Sequence, residues 1–242
     1  MAARGFQCIL LIGLVVGLVS SCTGPEKEEK EAGVYYTAWI PPGQVPPALE
    51  EIGNLAVNVI DLAGAGAWPQ VLAYTGDISD RWNDYKHPTV VPPTYPRRGA
   101  TLLYGELDAA VSRLREAAAT RNTYQTMRAA NDVDAAAIEL MEYFNPPMPG
   151  DLRRLAVLER RILVDCWEGK LDNVSDTLID VRRAWGRVRP IIVDRAGAEV
   201  ALAFDDNLAD QQAALNGLEA ETVGDYAENA LLALHEMQQW SY

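Results

Sequence analysis

The chain has 242 residues and a net charge of −13, from 34 acidic side chains against 21 Lys and Arg. That balance argues against nucleic acid as a partner, because phosphate binding needs a basic footprint. A hydrophobic content of 49% excludes wholesale disorder, and the length is enough for one or two buried cores.

In chain order, the first element is a targeting segment. Arg4 precedes an apolar run from Phe6 to Val19, a short charged region followed by a hydrophobic one that is too short to span a bilayer permanently. The run ends in Val19-Ser20-Ser21-Cys22, which resembles the lipobox of bacterial lipoproteins. The resemblance implies removal of residues 1–21 and acylation of Cys22, so that the membrane is the first partner, held through buried acyl chains. The segment 22–47 then reads as the lipidated Cys, a charged tether and a Pro-rich lead-in. Thr23 follows the lipidated residue where Asp resembles an inner-membrane retention signal. The expected place is therefore the bacterial cell envelope, at the periplasmic face of the outer membrane. Of the other two cysteines, Cys8 leaves with the signal peptide. Cys166, beside Asp165 and Glu168, reads as a small buried apolar residue.

From residue 48 onward the pattern is helical. Val71, Thr75, Ile78, Trp82 and Tyr85 step by threes and fours, as do Leu171, Val174, Leu178, Val181, Trp185 and Val188. An offset of 103 carries the first series onto the second series from Val174 on. An offset of 101 pairs Leu103 with Phe204, Leu107 with Leu208 and Leu114 with Leu215. An offset of 97 pairs Ala130 with Ala227, Leu140 with Met237 and Glu139 with Glu236. This predicts an all-α fold: a four-helix bundle of long antiparallel helices, built from two similar hairpins at 48–144 and 150–240. Gly64, Gly66 and Pro69 should kink the first helix, and Arg121-Asn122-Thr123 should weaken the second. The third is expected to run unbroken from Gly150 to a stop at Pro190. Asn216-Gly217 and Val223-Gly224-Asp225 should weaken the fourth.

The search for chemistry returns little. There is no Cys-x-x-Cys-His, no Glu-x-x-His, no Gly-x-Ser-x-Gly and no phosphate loop, so neither a cofactor, a metal nor a catalytic set is expected. Asp77, Asp180, Glu139 and Glu236 recur symmetrically, but each flanks a seam position, where exposed charges pair across helices. Trp68, Trp82, Trp167 and Trp185 read as core. After Arg195 there is no Lys or Arg. The acids of that stretch, densest at Asp205, Asp206 and Asp210, either complement Arg side chains on neighbouring helices or form an acidic surface for a basic protein partner or a cation. The expected role is a membrane-anchored, non-enzymatic helical interaction or binding module. The alternative is a periplasmic metal or small-molecule binding protein for uptake.

Overall fold

Helix breaks, rather than helix length, set the architecture. In the computed structural model, residues 44–86, 97–144, 146 and 150–239 are described, all within the second of the two units into which the chain divides, Tyr35–Tyr242. These residues form eight α-helices: α1 Pro47–Gly64, α2 Trp68–Lys86, α3 Arg97–Thr120, α4 Thr123–Met141, α5 Gly150–Trp167, α6 Leu171–Ala196, α7 Ala198–Asn216 and α8 Ala220–Gln239. A single 3-10 turn, Glu142–Phe144, follows α4.

The expected four-helix bundle of two hairpins of long helices is therefore corrected to an all-α fold of eight distinct helices among the described residues. Each expected rod is two helices. The breaks at 65–67 and 168–170 are Schellman turns with glycine in the left-handed region, Gly66 at φ 70° and Gly169 at φ 71°. In each, the glycine N–H reaches the carbonyl three residues back, and the next N–H reaches five back: Ala67 to Leu62 at 2.9 Å and Lys170 to Asp165 at 2.8 Å. The other two breaks place Arg121 at φ 54° and Leu218 at φ 59°, positions where a Cβ is strained. Asn122 caps α4 by accepting from the Gln125 N–H at 3.0 Å. Conversely, Pro190 does not stop α6, which runs through it to Ala196, and Gly224 lies buried inside α8 against Leu163 and Cys166.

These strained positions yield a prediction. Leu218 is 74% exposed, so Leu218→Gly removes strain and almost no packing. It should stabilise the fold by about 1 kcal/mol, and Gly169→Ala should cost a similar amount. Urea unfolding checks both signs.

α1 packs against α4 and, across its break, α2; α2 packs against α3, and α3 against α4. The same order recurs as α5 on α8 and α6, α6 on α7, and α7 on α8. An offset of 103 carries the starts of α1 and α2 onto those of α5 and α6, and Gly66 onto Gly169. An offset of 97 carries the start of α4 onto that of α8, and Arg121 onto Leu218. The cores follow the same registers: Leu49 and Leu152, Trp82 and Trp185, Leu107 and Phe204, Val111 and Leu208, and Leu140 and Met237 are all buried. The 101 offset for α3 and α7 is thus corrected to 97. A four-residue slide lays an apolar helical stripe over itself, so the stripe alone does not fix the register.

Polar groups do fix it. Trp82 Nε1 donates to Asp108 at 2.7 Å, and so does Lys86 Nζ at 2.6 Å. In the other half Trp185 Nε1 donates to Asp205 at 2.7 Å, and Arg189 holds the same carboxylate at 2.7–3.1 Å. Each half has its own core cluster; among the described residues, Val164 alone joins the first from the second half.

Candidate functional site

The halves meet where α4 packs on α5, and that seam is polar. Arg160 holds Asp134 at 2.7 Å, Arg154 holds Glu139 at 2.7 Å, and Asn131 Nδ2 donates to the Val157 carbonyl at 2.9 Å. Arg128 spans Asp165 and Glu168. Asp134 is deeply buried; burial pushes its carboxyl up, against the opposing pull of Arg160.

If the repeat were complete, α8 would pack on α1 as α4 packs on α5. It does not: α1, α4, α5 and α8 make three packed sides, and the fourth stays open. The residues at the matching positions explain why. Where the closed side has Asp134 and Arg160, the open side has Leu231 and Val57. Where it has Glu139 and Arg154, the open side has Glu236 and Glu51. An ion pair has become an apolar pair and another has become two like charges, so the charge pairing that ties α4 to α5 has no counterpart between α1 and α8.

The result is a groove of about 680 Å³ with α1 and α8 as walls and α4 and α5 as floor. Val57, Met127, Leu163 and Leu231 give it an apolar lining. Tyr124 and Trp167 line it while remaining 38% and 46% exposed. The groove continues into a more polar recess of about 450 Å³ toward the start of α1, where Glu50, Asp134, Arg153 and Arg160 stand. His235 lines both parts.

The sequence-derived site residues fall elsewhere. Cys22 lies outside the described residues. Asp205 is the acceptor for Trp185 and Arg189, and the Arg189 guanidinium foremost holds its carboxyl below the usual range. It is a structural acid, matched by Asp108 in the first half, which sequence reasoning passed over. Asp206 and Asp210 are exposed on α7. Among the symmetric carboxylates, Glu139 pairs with Arg154 and Asp180 with Arg183, while Asp77 and Glu236 are exposed. No group of three His, Cys, Asp or Glu that could hold a metal exists among the described residues. Cys166 is buried, and burial, with Asp165 and Glu159 nearby, pushes its thiol up to about 11, the opposite of an activated nucleophile. Trp82 and Trp185 are core, Trp68 is half-buried, and Trp167 is not core at all. Among the described residues no helix is long and apolar enough to cross a membrane.

The groove residues were missed because each half was read for likeness. The useful signal lay in the differences: a register-matched table sets Asp134 against Leu231 and Arg160 against Val57.

No protein-family model matches the chain, and no curated protein or solved structure matches it either.

Proposed function

We propose that the chain is a lipid-anchored protein of the bacterial cell envelope, tethered through Cys22 at the periplasmic face of the outer membrane. Its helical domain acts there as a non-enzymatic interaction module, with the groove between α1 and α8 receiving an amphipathic, basic helix of a partner protein. The observation that carries this reading is the open fourth side. Packed helices sit about 8–10 Å apart, so a side left unpaired is a cleft shaped for another helix. Its floor is apolar, with exposed aromatics that are rich in binding energy. Asp61 lines it and Glu236 stands exposed on the α8 wall, while Glu50 and Glu51 are held by Arg153 and Arg81 at 3.7 and 3.0 Å. Such edges favour Lys and Arg flanking the apolar stripe of the occupant.

The test is a photo-crosslinking residue placed at Leu231, with Leu202 on α7 as the control, in the full-length chain in its host cells. Adducts from Leu231 alone, mapping to a basic amphipathic helix of another protein, support the reading. Equal adducts at both sites, or adducts only with lipid, contradict it. The anchor is tested separately. Cys22→Ala should move the protein out of the membrane fraction or block its processing, and unchanged processing with full membrane retention would remove the lipoprotein reading.

A further inference from the structure

A second concavity, of about 390 Å³, lies between α4, α5 and α6. Its unmatched polar atoms are all acceptors. Asp165 lines the cleft and is 1% exposed; its buried Oδ2 has no hydrogen-bond partner, whereas Oδ1 meets Arg128. Asn131 is 2% exposed, and its Oδ1 is likewise without a partner. Its orientation is fixed, because Nδ2 must face the Val157 carbonyl. A buried acceptor left unsatisfied costs about 1–3 kcal/mol, so two in one cleft call for a ligand that brings donors.

The charges point the same way. Asp132, Asp165, Asp176 and Asp180 line the cleft against Arg128 and Arg161. Both arginines are already engaged, Arg128 by Asp165 and Glu168 and Arg161 by Asp132. No cation is left over for an anionic ligand. Asp176, exposed on α6, has no partner among the described residues, while Asp180, one turn further on, is held by Arg183 at 2.6 Å. The carboxylates do not converge as a metal cluster would. The fold does not require these groups: the position matching Asp165 is Leu62, which packs on the first core, and the one matching Asn131 is Glu228.

We propose that this cleft binds a small aliphatic di- or polyamine. One ammonium donates to Asp165 Oδ2 and Asn131 Oδ1, and a second is held by Asp176 on the outer edge. An ammonium has three donors and no acceptor, which fits a pair of buried acceptors without leaving a new group unmatched. The site is separate from the α1/α8 groove, and either reading stands without the other.

The experiment is titration calorimetry of putrescine and spermidine into the full chain in a non-ionic detergent, with Tm measured in parallel. The expected result is saturable binding of one amine per chain and a Tm that rises with amine concentration. Asp165→Asn should abolish the binding. Because that variant also disturbs the pairing with Arg128, Asp176→Asn is the second arm. It should weaken binding about tenfold and leave the Tm of the amine-free protein unchanged. The double variant Asp206→Asn, Asp210→Asn should bind like the wild type. Three results would overturn the site: no saturable binding at millimolar amine, an equal Tm rise with NaCl or MgCl2 at matched ionic strength, or equal weakening at Asp176 and at the α7 pair.

Discussion

Glu159→Gln should make the protein more stable at pH 7 by about 3 kcal/mol, an unusual sign for a change at a fully buried residue. Glu159 is 0% exposed, on α5. Its Oε2 accepts from Gln211 Nε2 on α7 at 3.1 Å, while its Oε1 and Gln211 Oε1 have no partner. Burial pushes its carboxyl up to about 8, only partly offset by the Gln211 hydrogen bond. The folded chain therefore keeps a proton that the unfolded chain releases above its ordinary carboxyl range. Stability falls as pH rises through the interval from about 4.5 to about 8, by roughly 1.4 kcal/mol per pH unit, and levels off above it. The amide cannot ionise, so this slope should be absent in Glu159→Gln. Urea unfolding of both proteins at pH 5, 7 and 9 isolates the difference. Parallel pH profiles would show that Glu159 is charged in the folded state. The first half has an apolar pair at the matching positions, Ala56 and Leu114, both 0% exposed. Nothing in the packing of the halves explains why the second half keeps a carboxyl there.

Trp82→Ala and Trp185→Ala should each cost about 3–5 kcal/mol, because each empties the centre of one core. Trp82 is 1% and Trp185 4% exposed. Trp82 stacks on Tyr85 at 5.6 Å between ring centroids, and Trp185 lies 4.5 Å from Phe204. The indole N–H adds a separable part. Trp185→Phe replaces the indole with a smaller aromatic ring and leaves Asp205 to Arg189 alone, and should cost about 1–2 kcal/mol beyond the lost area. Losses below about 1 kcal/mol for both Ala variants in denaturant unfolding would sink the core assignment.

The seam residues were legible in the sequence because burial on a helix recurs every three or four residues, and Val71 to Tyr85 and Val174 to Val188 show it plainly. Three of the breaks announced themselves in the sequence, at Gly64-Ala65-Gly66, Arg121-Asn122-Thr123 and Asn216-Gly217. The break at Gly169 did not, because a lone glycine between Glu168 and Lys170 reads as a tolerated helix interior. The 103 offset that pairs it with Gly66 was the available clue. Pro190 misled in the other direction, since packing of Val188 and Ile192 on the second core carries α6 through it. The groove was invisible to pattern reading because it depends on what α1 and α8 lack. Glu51 and Glu236 look like ordinary flank charges until the matching pair, Arg154 and Glu139, is seen to close the other side. The acids of α7 divided as no local pattern could show: Asp205 went to the Trp185 indole, and Asp206 and Asp210 to solvent.

If missing pairing residues hold the fourth side open, restoring them should close it. The triple variant Glu51→Arg, Val57→Arg, Leu231→Asp installs on α1 and α8 the ion pairs that Arg154–Glu139 and Arg160–Asp134 make between α5 and α4. Spin labels on exposed Asn58 of α1 and Leu232 of α8, read by double electron–electron resonance, report the width of the gap. In the triple variant the distance distribution should shift to shorter values and narrow, toward that of labels flanking the α4/α5 seam. An unchanged distribution in a variant that remains folded would contradict it.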